Sequence, residues 1–133
     1  MTACLYFFLP LLHIIIYYQY RNFMVIDFDD IEEIAVDGFK GGRGRLYSRN
    51  YADEKCKIML STLAPGASSG SHVHERNCEI IYVLEGTLTF HYDGRVEEVH
   101  AGEVHYCPMG HSHYMENLTG RNVKYFAVVP EHH

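Results

Sequence analysis

Four side chains have the types and the spacing to hold a metal ion: His72, His74, Glu79 and His113. On a strand, residues i and i+2 point to the same face. His72-Val73-His74 therefore aims two imidazoles at one point and turns Val73 away. Glu79 has the wrong parity to join them on an unbroken strand. A turn or bulge within residues 75–78 resolves this, and Glu79 then opens a return strand with Ile81 and Val83 on its inward face. A fourth ligand must come from elsewhere, and His113 begins a later strand after the Pro108-Met109-Gly110 turn. Three neutral imidazoles and a carboxylate suit a divalent ion such as Mn, Fe, Co, Ni or Zn. On a six-coordinate ion they leave positions open, which a catalytic metal needs.

The elements that must position these residues are strands. Residues 46–50, 56–64, 79–84, 87–92, 95–99, 104–107, 113–116 and 122–129 read as short strands, punctuated by glycine, proline and asparagine. Asp93-Gly94 is a two-residue hairpin signal. Residues 27–36 are acidic and form an early strand or short turn, and Gly41-Gly42-Arg43-Gly44 is a loop or bulge. Helical periodicity of useful length is missing, so the pattern predicts an all-β sandwich or barrel. Aromatic residues, 14% of the chain and all Tyr or Phe, fit that class.

With 133 residues the chain is sized for one barrel domain, over 24–133. Residues 1–23 are set apart as an apolar N-terminal extension. The run over 5–18 is interrupted by Pro10 and His13 and is too short for a transmembrane helix. It also lacks the flanking features of a signal peptide. Three readings stay open for it: an upstream extension ahead of a start at Met24, an element packed on a partner subunit, or a weak anchor. Stable membrane association is not expected. The net charge of −6, without a basic run, argues against a nucleic-acid partner. Cys4, Cys56, Cys78 and Cys107 form no C-x-x-C pair. Free thiols in the cytoplasm are the preferred reading, with a disulfide from Cys78 or Cys107 left open.

The residues 66–86 read G-x5-H-x-H-x4-E-x6-G, and 102–117 read G-x5-P-x-G-x2-H-x3-N. Both resemble the signature motifs of the cupin superfamily, matching at all ten specified positions. More weakly, Gly41-Gly42-Arg43-Gly44 and Arg49 resemble the lead-in of small bacterial cupins. The resemblance implies a double-stranded antiparallel β-barrel (a jelly roll), usually a homodimer. It implies one metal ion held by His72, His74, Glu79 and His113. The pattern further resembles the branch of oxalate-decarboxylase-like and germin-like proteins, which favours Mn or Fe and a small carboxylate ligand. Gly66, Gly86, Gly102 and Gly110 fall where turns need permissive φ, and Asn117 is expected to secure a turn rather than bind metal.

Other candidates are read as ordinary packing or surface residues. His91, His100, His105 and His111 lack the spacing, although His105 lies on a strand whose parity would let it face the cavity. Tyr82 should face outward; Tyr106 and Tyr114 are ambiguous. Met59 and Met109 are read as packing, Glu75 and Arg76 as solvated loop charges. No catalytic residue is assigned. The leading function is a metal-dependent oxidoreductase, dioxygenase or decarboxylase acting on a small carboxylate or other oxygenated molecule. The alternatives are a sugar or sugar-phosphate isomerase, with Arg43, Arg45, Arg49 and Arg76 as candidate phosphate contacts, and a non-enzymatic binding protein.

Overall fold

A computed structural model describes residues 25–132; the expected extension over 1–23 lies outside them. The described residues divide between two units, one ending at Asp30 and the other beginning at Ile31. In the first, Phe28–Asp30 forms a 3-10 turn. The second is built from ten strands: β1 (Ile34–Asp37), β2 (Arg45–Ala52), β3 (Cys56–Leu63), β4 (His72–Val73), β5 (Glu79–Glu85), β6 (Thr87–Tyr92), β7 (Arg95–His100), β8 (Val104–Cys107), β9 (Ser112–Glu116) and β10 (Val123–Pro130). They form two antiparallel sheets, ordered β1-β2-β3-β10-β5-β8 and β4-β9-β6-β7. This is the all-β jelly-roll barrel expected from the sequence.

Alternation decides which residues enter the barrel. Along β10 the pattern is strict: Val123, Tyr125, Ala127 and Val129 are buried, and their neighbours are half-buried. Paired across the larger sheet, Asn50, Met59, Ala127, Ile81 and His105 make one inward row. From the smaller sheet, Leu88, Phe90 and Met115 complete the core. Tyr82 points outward, and Tyr106 is 53% exposed. Met109 is a correction: at the tip of the Pro108–Gly110 turn it is 50% exposed rather than packed.

Turns close where the sequence demands it. Asp93 and Gly94 both have positive φ (49° and 73°), as the tight β6–β7 hairpin requires. Gly86 is doubly constrained, since its φ is 88° and an added Cβ would lie 2.9 Å from Val123 Cγ2. Gly66, Gly102 and Gly110 also take positive φ. Asn117, fully buried, donates from Nδ2 to the Leu63 and Arg121 carbonyls and accepts from the Thr119 amide, so it does secure its turn.

At the end of β9, Arg43 Nη2 donates to Glu116 Oε1 at 2.6 Å and His91 Nε2 lies 2.7 Å from Oε2. These bonds hold the Glu116 carboxyl below its ordinary range. A lowered folded-state pKa means the contribution is complete above the unfolded carboxyl's value, about 4.3, and is lost as pH falls through the folded value. Glu116→Gln is expected to cost about 1 kcal/mol at pH 7. The gap from wild type should close below pH 4 in urea titrations run at several pH values.

Candidate metal centre

The turn before β5 does more than change strand. His72 lies on the smaller sheet, paired directly with His113 of β9, and Glu79 opens β5 on the larger sheet. His74 extends the β4 segment, its amide donating to the His111 carbonyl at 3.0 Å. The four side chains thus face one another across the barrel. His113 Nε2 lies 3.1 Å from His72 Nε2, 3.0 Å from His74 Nε2 and 2.9 Å from Glu79 Oε1. Glu79 Oε1 lies 3.5 Å from His74 Nε2 and 4.0 Å from His72 Nε2. All four donor atoms fall within 4.8 Å of one another, a group that could hold a metal ion.

The outer contacts set which ring nitrogens are bare. His72 Nδ1 donates to the Gly70 carbonyl at 2.9 Å, which leaves its Nε2 lone pair facing the centre. Asn77 Nδ2 donates to Glu131 Oε1 at 2.9 Å, so its Oδ1 accepts from His74 Nδ1 at 2.6 Å, and His74 Nε2 is bare as well. His113 Nδ1 lies 2.9 Å from His105 Nε2. Burial first, then the neighbouring His113, pushes His105 down to about 4, so it is neutral; in the tautomer with its proton on Nδ1 it accepts from His113 Nδ1–H and leaves His113 Nε2 for the centre. Burial above all lowers His72, and the nearby Lys40 charge adds to that effect. Burial pushes the Glu79 carboxyl up, but with no ion bound, N–H donation from whichever of His113 and His74 carries a proton on Nε2 outweighs it and holds it at about 2, ionised at neutral pH; the Glu79 contact raises His74 in turn.

When those protons leave, three lone pairs and an anionic oxygen converge closely enough to repel one another, and a cation in the protons' place relieves that repulsion. The fit is geometric too. With bonds of about 2.1 Å, adjacent octahedral ligands lie about 3.0 Å apart and opposite ones about 4.2 Å. The three contacts of His113 match the shorter edge, and the His72–Glu79 separation approaches the longer one. Cys107 is no rival ligand: burial pushes its thiol up to about 11. Cys56, Cys78 and Cys107 are free.

His105 is the residue that spacing alone missed. It is 4% exposed, stacks on Phe90 with centroids 3.9 Å apart, and fixes the His113 ring through the Nδ1 contact. Partners in this outer role are worth about 10–100-fold in metal affinity. His105→Ala is expected to lose that much in a competition titration with a metal-binding dye while retaining the fold. His111, by contrast, sits in its turn beside Asp93 with its side chain 42% exposed.

A cavity of about 100 Å³ adjoins the cluster, bordered by His72, Glu79 and His113. Its lining is mostly apolar, with Ser48 and Asn50 among the polar exceptions: Ser48 donates to Asn50 Oδ1 at 2.8 Å and lies 2.7 Å from Ser61 Oγ. A wider cleft of about 420 Å³ shares Phe39, Lys57 and Met59 with this cavity and also borders His72 and Glu79. Glu75 and Arg76 are exposed at its rim. The other three candidate phosphate contacts are engaged elsewhere: Arg43 with Glu116, Arg45 with Asp37, and Arg49 with Glu33 and the Ile31 carbonyl.

Comparison with known proteins agrees with this architecture. The chain is 31% identical over 112 residues to an oxalate-binding protein of Thermotoga maritima, covering 80% of this chain and 93% of the relative. Among solved structures it is similar to a predicted oxalate decarboxylase of the same organism, at 29% identity with a TM-score of 0.76, covering 81% and 99% of the two chains. A sugar phosphate isomerase of Silicibacter pomeroyi shares the fold at 23% identity and a TM-score of 0.68, covering 80% and 75%. Residues 59–129 match the family model described as the cupin domain. With that match over more than half the sequence, and with the jelly roll and both motifs in place, the chain belongs to the cupin family.

Proposed function

We propose that His72, His74, Glu79 and His113 hold one divalent ion, Mn or Fe in preference to Zn, Ni or Co, and that this centre binds a small carboxylate such as oxalate. The observation that carries the reading is the convergence of three bare imidazole nitrogens and one ionised carboxylate oxygen beside a small cavity. When bound, the ion supplies Lewis acidity toward carboxylate oxygens at its open positions. The chain's own residues do the rest. Asn77, Gly70 and His105 lock the imidazoles in the ligating tautomer, and the enclosed cavity limits the ligand to a few heavy atoms. The 31% identity to an oxalate-binding protein supports the ligand class. Turnover of the decarboxylase or dioxygenase type is the enzymatic form of this proposal, and binding without turnover is the other form, favoured by the same relative. The sugar-phosphate reading loses support because Arg43, Arg45 and Arg49 are paired away from the cleft. Three free thiols suit a cytoplasmic setting.

Elemental analysis of the purified protein is the test, followed by oxalate calorimetry and assays for CO2 and peroxide. About one equivalent of Mn or Fe with saturable oxalate binding is expected. A protein that neither carries nor takes up a divalent ion overturns the proposal.

We further infer a homodimer formed through the outer face of the larger sheet. Two rows cross it: Tyr51, Ile58, Val128, Ile80 and Tyr106, and beside them Arg49, Leu60, Phe126, Tyr82 and Val104, with Arg49 at the edge the one charge among the ten. A face this apolar is unusual on a lone chain. Light scattering should give about twice the 15.4 kDa chain mass. Tyr82→Glu should give the monomer with its metal retained.

A further inference from the structure

Building on the carboxylate-binding reading, we propose that Lys40 and Lys57 are specificity-determining residues that select a doubly charged ligand over a singly charged one. Both border the cleft leading to the metal cluster, and Lys57 also borders the inner cavity. Among the described residues neither ammonium has a carboxylate partner. In a chain of net charge −6, two unpaired cations at one entrance are a concentrated exception. Glu75 and Arg76, on the same cleft, are of opposite sign, and Glu131 keeps its charge while it accepts from the neutral Asn77 amide, so the cations outnumber the anions at the entrance by one. A divalent ion with Glu79 carries a net charge of +1; the lysines add two and Glu131 takes one away, so the site stands at +2. That balance favours a dianion, and its oxygens turned away from the metal would face the entrance.

The backbone at Lys40 gives an independent reason. Lys40 has φ 52° and ψ 32°, a left-handed conformation inside the turn Phe39–Gly41. Glycine adopts this region without the steric cost a lysine incurs. Strain of this kind collects where the surroundings fix a residue for function. Here the surroundings do fix it: the Gly70 amide donates to the Phe39 carbonyl at 2.9 Å, and a Cβ at Gly70 would overlap the Lys40 carbonyl oxygen. Gly70 in turn accepts from His72. The same stitch that aligns a candidate ligand therefore sets Lys40 at the threshold, its Nζ 5.8 Å from the centroid of the Phe39 ring that borders both cavity and cleft.

The test uses the full chain loaded with Mn and titrated calorimetrically with oxalate and with acetate, the metal content being measured before and after. Lys57→Met keeps the aliphatic stem and Lys40→Gly relieves the left-handed residue. Each should retain its metal, lose about 10-fold in oxalate affinity and change less than about 3-fold toward acetate. Lys40→Gly should melt at or above the wild-type temperature. Lys57→Arg should keep the wild-type preference, which separates charge from packing. Unchanged oxalate affinity in the metal-loaded double variant overturns the role of the lysines and leaves the carboxylate site standing. A metal-loaded wild type that binds neither probe overturns both.

Discussion

Replacing His113 by alanine should leave the purified protein without stoichiometric metal. His113 is the hub of the cluster, with its Nε2 within 3.1 Å of the donor atoms of His72, His74 and Glu79. The change deletes a donor and also leaves His105 with no ring to hold, so the loss should exceed the roughly 10–100-fold that an outer partner costs. Heating with and without added Mn provides the check. Wild type should melt higher as free ion rises above its Kd, by mass action, and the variant should not respond. An unchanged metal content and melting shift in the variant would place the ion elsewhere.

The second large effect is expected at Phe90, which supplies no donor atom of its own. It is fully buried on β6, part of the core, stacked on His105 and 6.1 Å from the His113 ring centroid. Phe90→Ala removes a core ring and should cost about 3–5 kcal/mol, a large share of the 5–15 kcal/mol typical of a domain. Metal affinity should fall with it, because His105 loses the surface that orients it. Phe90→Leu refills much of the volume without the aromatic face. Its stability cost should be below about 1.5 kcal/mol, while the loss of metal affinity persists. Urea melts paired with dye competition for both variants separate the packing contribution from the orienting one; loss of affinity only in the alanine variant would reduce Phe90 to filler.

Much of this site was legible in the chain. The bounds of β6 and β8 follow from the Asp93-Gly94, Ala101-Gly102 and Pro108-Met109-Gly110 punctuation, because those residues fix local dihedrals. The parity of His72, His74 and Glu79 forced a change of strand between them, and the structure turns out to change sheet as well. Other features depend on registers between distant strands. His105 meets His113 only because β8 and β9 close the barrel from opposite sheets. The outer apolar rows exist only once five strands are aligned. The turn at Lys40 acquires its meaning from Gly70, thirty positions on, through a contact of backbone with backbone that leaves no side-chain signature. Met109 departs from its expected packing for a related reason: a methionine's apolarity says nothing about whether a turn tip is covered.

The division of the four donors between the sheets has a mechanical consequence. His72, His74 and His113 ride on one layer and Glu79 on the other, so an ion held among them as proposed would be a rivet through the sandwich. Separating the layers would then require giving up the ion, which ties global unfolding to metal release. A ligation energy recorded in a binding titration should reappear as resistance to urea, about 2.7 kcal/mol at 100 times the Kd. The barrel's strength then becomes a readout of how much metal its surroundings supply.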